Sequence, residues 1–461
     1  MTLIKSISGI RGTIGDPIGQ GLTPMDIVES VAGYGQWLLK QRPGRRPSVV
    51  IGRDGRMSGE IVLGLAIHTL RMQGIDVYDA DLSTTPTIEM AVKWYKARGG
   101  IIITASHNPA DWNALKFLNH RGEFISAQDG EHILDTIKER EMSFVEVENL
   151  GRYQRIEGLI ERHIASILDM EWVQQEAISK KKYHIVVDCI NSTGALSVPP
   201  LLEALGCTYT LINDTVNGRF EHNPEPLTKN LQSLSRKVVT EHADLGIAVD
   251  PDVDRLVFMN ENGTPFNEEY TLVAIADYIL SLNSGDTVSN LSSTRALADI
   301  TIKHGGEYHA SAVGEVNVVA LMKSTNAVIG GEGNGGVIVP PLHYGRDALA
   351  GIALFLSGLA KRGGRISQWK EELPHYEMYK DRLDLNDEWN LDAMLEQLAQ
   401  KYQGEAEVLT IDGTKILFKT AWVHLRPSNT EPIVRIYTEA KTSSEAKQLA
   451  EQFKAELLNL A

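Results

Sequence analysis

Three aspartates alternate in Asp250-Pro-Asp-Val-Asp-Arg255, at positions Asp250, Asp252 and Asp254. On an extended chain alternate side chains share a face, so this spacing predicts three crowded carboxylates. Like charges at that density repel unless a cation lies among them. An all-oxygen donor set suits Mg²⁺, which keeps room for water or a phosphate oxygen. Arg255 would then contact phosphate beside the metal. The plainer reading is a polar turn held by Asx hydrogen bonds, but a turn needs one aspartate rather than three.

Ser106 is the second candidate. It follows the apolar run Gly100-Ile-Ile-Ile-Thr-Ala105 and precedes His107, Asn108 and Pro109. Proline fits the first turn of a helix, which predicts Ser106 at a helix N-terminus. Unpaired N–H groups there favour phosphate, so Ser106 is either a cap or the carrier of a phosphoryl group. His107 is either a proton-transfer group or an orienting residue. Lys116 is either a solvated surface residue or an amine that takes a proton from the serine or neutralises a phosphate on it.

Two further loops bear on ligands. Arg426-Pro-Ser-Asn-Thr-Glu-Pro432 combines a guanidinium with hydroxyls and an amide. Arg426, Ser428, Asn429 and Thr430 would chelate a phosphate dianion, or they belong to an ordinary polar loop. Gly330-Gly-Glu-Gly-Asn-Gly-Gly336 sets Glu332 and Asn334 among glycines. Those two side chains could bond sugar hydroxyls, unless the segment is only a flexible turn. No dinucleotide fingerprint or Walker A sequence is present, which removes support for an NTP-driven kinase.

The elements that must carry these groups follow one pattern: a short apolar run, a turn, then a helical segment. Ser48–Gly52, Gly100–Ala105, His184–Asp188, Leu245–Val249 and Thr287–Leu291 read as strands. Alternation with helices implies βαβ units, whose ligands gather at the carboxyl ends of the strands. From Tyr379 onward the pattern changes to strands around Gly413, a strand at Ile433–Tyr437 and a final helix from Ser443. That is an α+β module with an antiparallel sheet. The expected class is α/β, with three related domains of mixed, mainly parallel sheets plus a C-terminal α+β domain. Boundaries are expected near residues 155, 256 and 372. The domains are then 1–155 with the Ser106 loop, 156–256 with the aspartate loop, 257–372 with the Glu332 loop and 373–461 with the Arg426 loop.

Composition agrees with an ordinary globular chain: 461 residues, 43% hydrophobic and 23% charged. That length exceeds one core and suggests about three or four domains. A net charge of −15 argues against nucleic acid or an acidic membrane as the main partner, but not against a small phosphorylated molecule. No apolar run is long enough to span a bilayer, and the first residues do not read as a signal peptide. Cys189 and Cys207 lack metal-like spacing and read as buried thiols, which suits the cytoplasm.

Taken together, these loops resemble the α-D-phosphohexomutase family, which includes phosphoglucomutase, phosphomannomutase and phosphoglucosamine mutase. The likeness covers the whole length with the motifs in family order. Ser8-Gly-Ile-Arg-Gly12 is similar to the N-terminal motif that brings an arginine, here Arg11, to the active site. Gly52-Arg-Asp-Gly-Arg-Met-Ser-Gly59 resembles a second signature, more structural than catalytic. The resemblance makes Ser106 the phosphoserine, which also contributes to the metal site, and Lys116 the general base. It makes Asp250, Asp252 and Asp254 the Mg²⁺ ligands. It also implies a hexose 1,6-bisphosphate as intermediate and activator, with glucosamine phosphate as the leading substrate and glucose or mannose phosphate behind it. Many bacterial members carry Glu-x-Ser-Gly-His in the sugar loop. Here Asn334 and Gly336 stand at the last polar positions, and Val313-Gly-Glu-Val-Asn317 also lacks a histidine found in many relatives.

Two other classes use part of the same residues. A metal-dependent phosphatase would make Asp250 a nucleophile but leave the Ser106 and Arg426 loops idle. A non-catalytic sugar-phosphate binder would leave the serine, the lysine and three aspartates without a task.

Overall fold

The computed structural model describes residues 2–6, 9–41, 46–386, 389–428 and 432–460. Three α/β domains are followed by a C-terminal domain with an antiparallel sheet. The chain divides into two compact units, Met1–Thr271 with Gly335–Trp369, and Leu272–Asn334 with Lys370–Ala461.

The first unit holds two sheets. One has seven strands, in the order Ile4–Ser6, Gly9–Thr13, Trp112–Leu118, Gly99–Ile103, Ser48–Arg53, Asp76–Leu82 and Tyr153–Arg155. All five residues of Gly99–Ile103 are buried, as expected of a β-branched run covered on both faces. It pairs in parallel with Ser48–Arg53 and antiparallel with Trp112–Leu118. The second sheet runs Leu256–Asn260, Leu245–Val249, His184–Asp188 and Thr208–Ile212. Its edge strand Leu256–Asn260 pairs antiparallel with Leu245–Val249 across the aspartate loop. The second domain therefore continues past the expected boundary at 256, because the aspartate loop is the turn of a hairpin.

In the second unit Tyr308–Ser311, Thr287–Asn290 and Ile329–Glu332 pair in parallel. The C-terminal sheet is antiparallel, ordered Glu377–Asp384, Ile433–Ala440, Trp422–Pro427, Thr414–Leu417 and Glu407–Leu409. Helices Leu391–Tyr402 and Ser443–Leu460 contribute Leu398, Tyr402, Phe453 and Leu457 to the core under this sheet.

The segment after Ser106 corrects one expectation. No helix starts at Pro109; a turn leads directly into Trp112–Leu118. The cause is Arg56, fully buried and fifty residues upstream. Its guanidinium donates to the carbonyls of Ser106, Asn108, Pro109 and Trp112 at 2.6, 2.7, 2.5 and 2.8 Å. Carbonyls gathered onto one cation cannot point along a helix axis.

Candidate active site

The strand Gly99–Ile103 delivers Ser106, which adopts φ 47°, in the left-handed region. Its N–H donates to Thr104 Oγ1 at 2.9 Å, and the Thr104 hydroxyl donates to Asp54 Oδ2 at 2.6 Å. Asp54 in turn pairs with Arg56. The Gly52–Gly59 motif thus sets the backbone around Ser106 from two sides. The serine hydroxyl donates to Asp250 Oδ2 at 2.8 Å.

The aspartate loop is not the extended segment expected from its alternation. It is a turn in which Val253, fully buried and β-branched, takes φ 60°. That conformation is costly for such a residue and needs surrounding contacts to hold it. Val253 N–H donates to the Asp250 carbonyl, and the Ser192 and Thr193 hydroxyls donate to the Pro251 carbonyl. The three carboxylates converge because the backbone curls.

Each carboxylate has one oxygen anchored by the protein. Asp250 Oδ1 accepts the N–H groups of Asp254 and Arg255 at 3.1 and 3.0 Å. Asp252 Oδ2 accepts the Thr85 hydroxyl at 2.6 Å and Lys116 Nζ at 3.0 Å. Asp254 Oδ2 accepts Arg346 Nη2 at 2.6 Å. The opposite oxygens of Asp252 and Asp254 are buried and have no hydrogen-bond partner among the described residues, while that of Asp250 faces Ser106. One ligand oxygen from each residue lies within 4.8 Å of the others. Anchored outer oxygens and orphaned inner ones are what a cation needs, and hard oxygen donors fit Mg²⁺.

Electrostatics point the same way. Burial, then Asp254 and Asp252, push the Asp250 carboxyl well above the usual carboxylate range. Burial also pushes Asp252 upward, but Lys116 and Thr85 outweigh it and hold that carboxyl below its ordinary value. Burial pulls Lys116 down, yet Asp252 and Asp254 keep its amine above the ordinary value, as an ammonium. His107 is pushed well below its ordinary value by burial and then by Arg255, Arg346 and Lys116, so its imidazole is neutral. Its Nδ1 lies 3.4 Å from the Ser106 hydroxyl.

Ser106, His107, Lys116, Asp250, Asp252 and Asp254 therefore gather in the first unit. Arg255 lies beside them, 4.0 Å from Asp254 and 3.5 Å from Glu225. Arg11 sits on Gly9–Thr13 opposite Ala114, which shares a sheet face with Lys116. Thr85, Arg346 and Arg56 were not singled out by sequence. The run Ser83-Thr-Thr-Pro-Thr87 and the polar Arg346-Asp347 pair heading an apolar helix were the available signals.

In the second unit Glu332 ends the strand Ile329–Glu332 and is buried. Its carboxylate accepts Asn290 Nδ2 at 2.9 Å, Gly314 N–H at 3.2 Å and Asn334 Nδ2 at 3.3 Å. It therefore ties the turn that follows its strand to Gly314, at the start of the helix Glu315–Thr325. Asp412, also missed by sequence, accepts Arg426 Nε on both oxygens at 2.8 and 2.7 Å and Val313 N–H at 2.9 Å. Ser428 N–H donates to the Ile433 carbonyl. Asn429 and Thr430 lie outside the described residues. Gly335, in the first unit, needs to be glycine: its φ is +88°, and a Cβ would stand 2.5 Å from the Leu256 carbonyl oxygen.

Comparison with known proteins adds the lineage. The four domain families described as phosphoglucomutase/phosphomannomutase alpha/beta/alpha domains I, II and III and C-terminal domain match residues 3–143, 161–263, 267–376 and 382–456. A Thermococcus kodakarensis protein named phosphoglucomutase/phosphomannomutase is 35% identical over 446 residues, covering 96% of both chains. A Sulfurisphaera tokodaii protein named phosphoglucosamine/phosphogalactosamine mutase is 30% identical over 455 residues, covering 97% of each. A crystal structure of a family protein from Burkholderia thailandensis superposes with a TM-score of 0.86 at 28% identity, covering 98% of this chain and 96% of that one.

Proposed function

Since the chain belongs to the phosphoglucomutase/phosphomannomutase family and is a phosphohexomutase, we propose that its preferred reaction interconverts glucosamine 6-phosphate and glucosamine 1-phosphate. The observation that carries the chemistry is Ser106, 2.8 Å from Asp250 and beside Asp252 and Asp254, whose inner oxygens are left for a cation. The amino-sugar preference is supported by the Sulfurisphaera relative's name.

In this reading Ser106 carries the phosphoryl group. A hydroxyl of the hexose monophosphate attacks phosphorus, the Ser106 Oγ–P bond breaks, and a 1,6-bisphosphate forms. After the bisphosphate turns over, its other phosphate returns to Ser106 and the isomeric monophosphate leaves. Asp250, Asp252 and Asp254 would hold Mg²⁺, which supplies charge neutralisation for the phosphoryl group in transfer. Lys116, an ammonium between two aspartates, neutralises phosphate charge and orients Asp252. Neutral His107 is placed to accept the proton of the attacking hydroxyl, and Lys116 takes the general-base role if it gives up its own proton. Arg255 and Arg11 contact phosphate. The loop carrying Arg426, Ser428, Asn429 and Thr430 takes the phosphate that is not being transferred, and Glu332 and Asn334 meet sugar hydroxyls. The same reading divides the chain near residues 155, 256 and 372, with the hairpin strand Leu256–Asn260 kept in the second domain. A cytoplasmic site of action suits two buried free thiols and hexose-phosphate substrates.

The test supplies Mg²⁺, a trace of hexose 1,6-bisphosphate and glucosamine, glucose or mannose phosphate, with isomerisation followed by phosphorus NMR. Glucosamine phosphate is expected to turn over fastest, and Ser106→Ala to abolish turnover. A faster rate with glucose or mannose phosphate overturns the substrate; phosphate release without isomerisation overturns the mutase.

A further inference from the structure

Five buried side chains outside the reacting groups form one continuous network in the first unit: Thr87, His163, Asp347, His343 and Glu89. Asp347 is its centre. Through Oδ1 it accepts Ala350 N–H at 3.0 Å and caps the helix Ala348–Arg362. Through Oδ2 it accepts two imidazoles, His163 Nε2 at 2.8 Å and His343 Nε2 at 3.1 Å. With Nε2 the donor in each ring, His163 Nδ1 takes the Thr87 hydroxyl at 2.9 Å, and His343 Nδ1 faces Glu89 Oε2 at 3.2 Å. Burial, then Asp254 and Asp347, push the Glu89 carboxyl well up, and its contact with His343 is a close approach rather than a hydrogen bond.

Burying so many ionisable groups is expensive, and apolar residues of similar volume would fill the space at least as stably. The two elements that the network joins suggest why it is there. Thr87 and Glu89 belong to the helix Thr85–Trp94, whose first residue grips Asp252 through its hydroxyl at 2.6 Å and through N–H to the Asp252 carbonyl at 2.9 Å. Asp347 follows Arg346, which grips Asp254 at 2.6 Å, and precedes Ala348, whose N–H reaches the Val253 carbonyl at 3.2 Å. Both tethers of the aspartate loop are thus one or two residues from a member of the network.

We propose that the Thr87–His163–Asp347–His343–Glu89 network is a clamp that fixes the spacing of Asp252 and Asp254 by locking the Thr85 helix to the Arg346 turn. Its members are positioning residues; they meet neither substrate nor cation. The proposal rests on Asp250, Asp252 and Asp254 being the cation site. His163, His343 and Asp347 also lie close enough together to hold an ion of their own. However, each Nε2 is already at hydrogen-bond distance from a shared Asp347 oxygen, and His163 Nδ1 is taken by Thr87, so those three nitrogens are occupied without one.

Direct Mn²⁺ binding, read by electron paramagnetic resonance on the full chain, tests the clamp apart from turnover. Wild type is expected to bind Mn²⁺ and Asp254→Asn to lose it. His163→Leu and His343→Leu should weaken binding at least about tenfold, with sugar-phosphate KM at saturating Mg²⁺ little changed. His163→Gln retains a donor at the place of Nε2 and should recover most of the affinity. Thr87→Val exchanges one hydroxyl for a methyl; it carries the test if the leucine variants do not fold, and should weaken binding about threefold. Wild-type Mn²⁺ affinity in folded His163→Leu, or in Thr87→Val, overturns the clamp while leaving the cation site standing. A zinc equivalent in the purified protein that disappears in His163→Leu also overturns it. Failure of the wild type to bind Mn²⁺ removes the cation site, and the clamp with it.

Discussion

Arg56→Lys is the most exacting test of how Ser106 is held. The guanidinium has five N–H donors, and all are used: Nε to Asp54 at 3.1 Å, Nη1 to the Pro109 and Trp112 carbonyls, and Nη2 to the Ser106 and Asn108 carbonyls. An ammonium keeps the charge but offers three donors from a single point, so at least two buried acceptors lose their partner. At about 1–3 kcal/mol for each orphaned acceptor, the cost is about 2–6 kcal/mol, concentrated on the turn from Ser106 to Trp112. A serine displaced by about 1 Å from its phosphate position costs on the order of a hundredfold in rate. Hydrogen exchange across residues 104–112 should accelerate. Transfer of phosphate from hexose 1,6-bisphosphate to Ser106, followed by mass spectrometry, should slow by roughly that factor. Unchanged exchange together with near-normal phosphorylation would refute the view that carbonyl collection by Arg56 shapes the loop.

Two further outcomes follow from other parts of the structure. Chelation of divalent ions should lower the melting temperature. Mg²⁺ at a hundred times its dissociation constant should return about 2.7 kcal/mol of stability, and melting indifferent to chelator would remove the ion from the aspartate loop. Asp412→Asn weakens the grip on Arg426 and should raise the KM for hexose phosphate about tenfold or more, with kcat within about threefold, in steady-state assays; a fall in kcat at constant KM contradicts a purely binding role for that loop.

The groups of the candidate site were legible in the sequence because they come in short runs. Asp250, Asp252 and Asp254 fall within five consecutive positions, and Ser106 follows an apolar strand. The strands themselves were equally plain, since a fully buried strand such as Leu245–Val249 is a continuous apolar run. What stayed hidden is long-range. Thr85 lies 167 positions from Asp252, and Arg346 lies 92 from Asp254. Local pattern therefore misjudged two backbone shapes. Pro109 read as a helix start because the capture of its carbonyl by Arg56 has no local signature. The aspartate loop read as extended because nothing nearby announces that Val253 is forced into the left-handed region. The hairpin of Leu245–Val249 with Leu256–Asn260 went unread for the same reason, since the turn that closes it has no local signature.

The discontinuity of the first unit carries a consequence for how the protein is made. Its final segment, Gly335–Trp369, returns only after the Leu272–Asn334 excursion has been completed. During synthesis the aspartate loop emerges from the ribosome well before the arginine that balances Asp254. Until then the nascent loop carries its three carboxylates without Arg346, and the ordering of that loop waits on a residue almost a hundred positions downstream. Translation thus imposes a timetable: the bracing of the candidate cation site arrives late, when most of the polypeptide already exists, and a chain released before Arg346 would lack it.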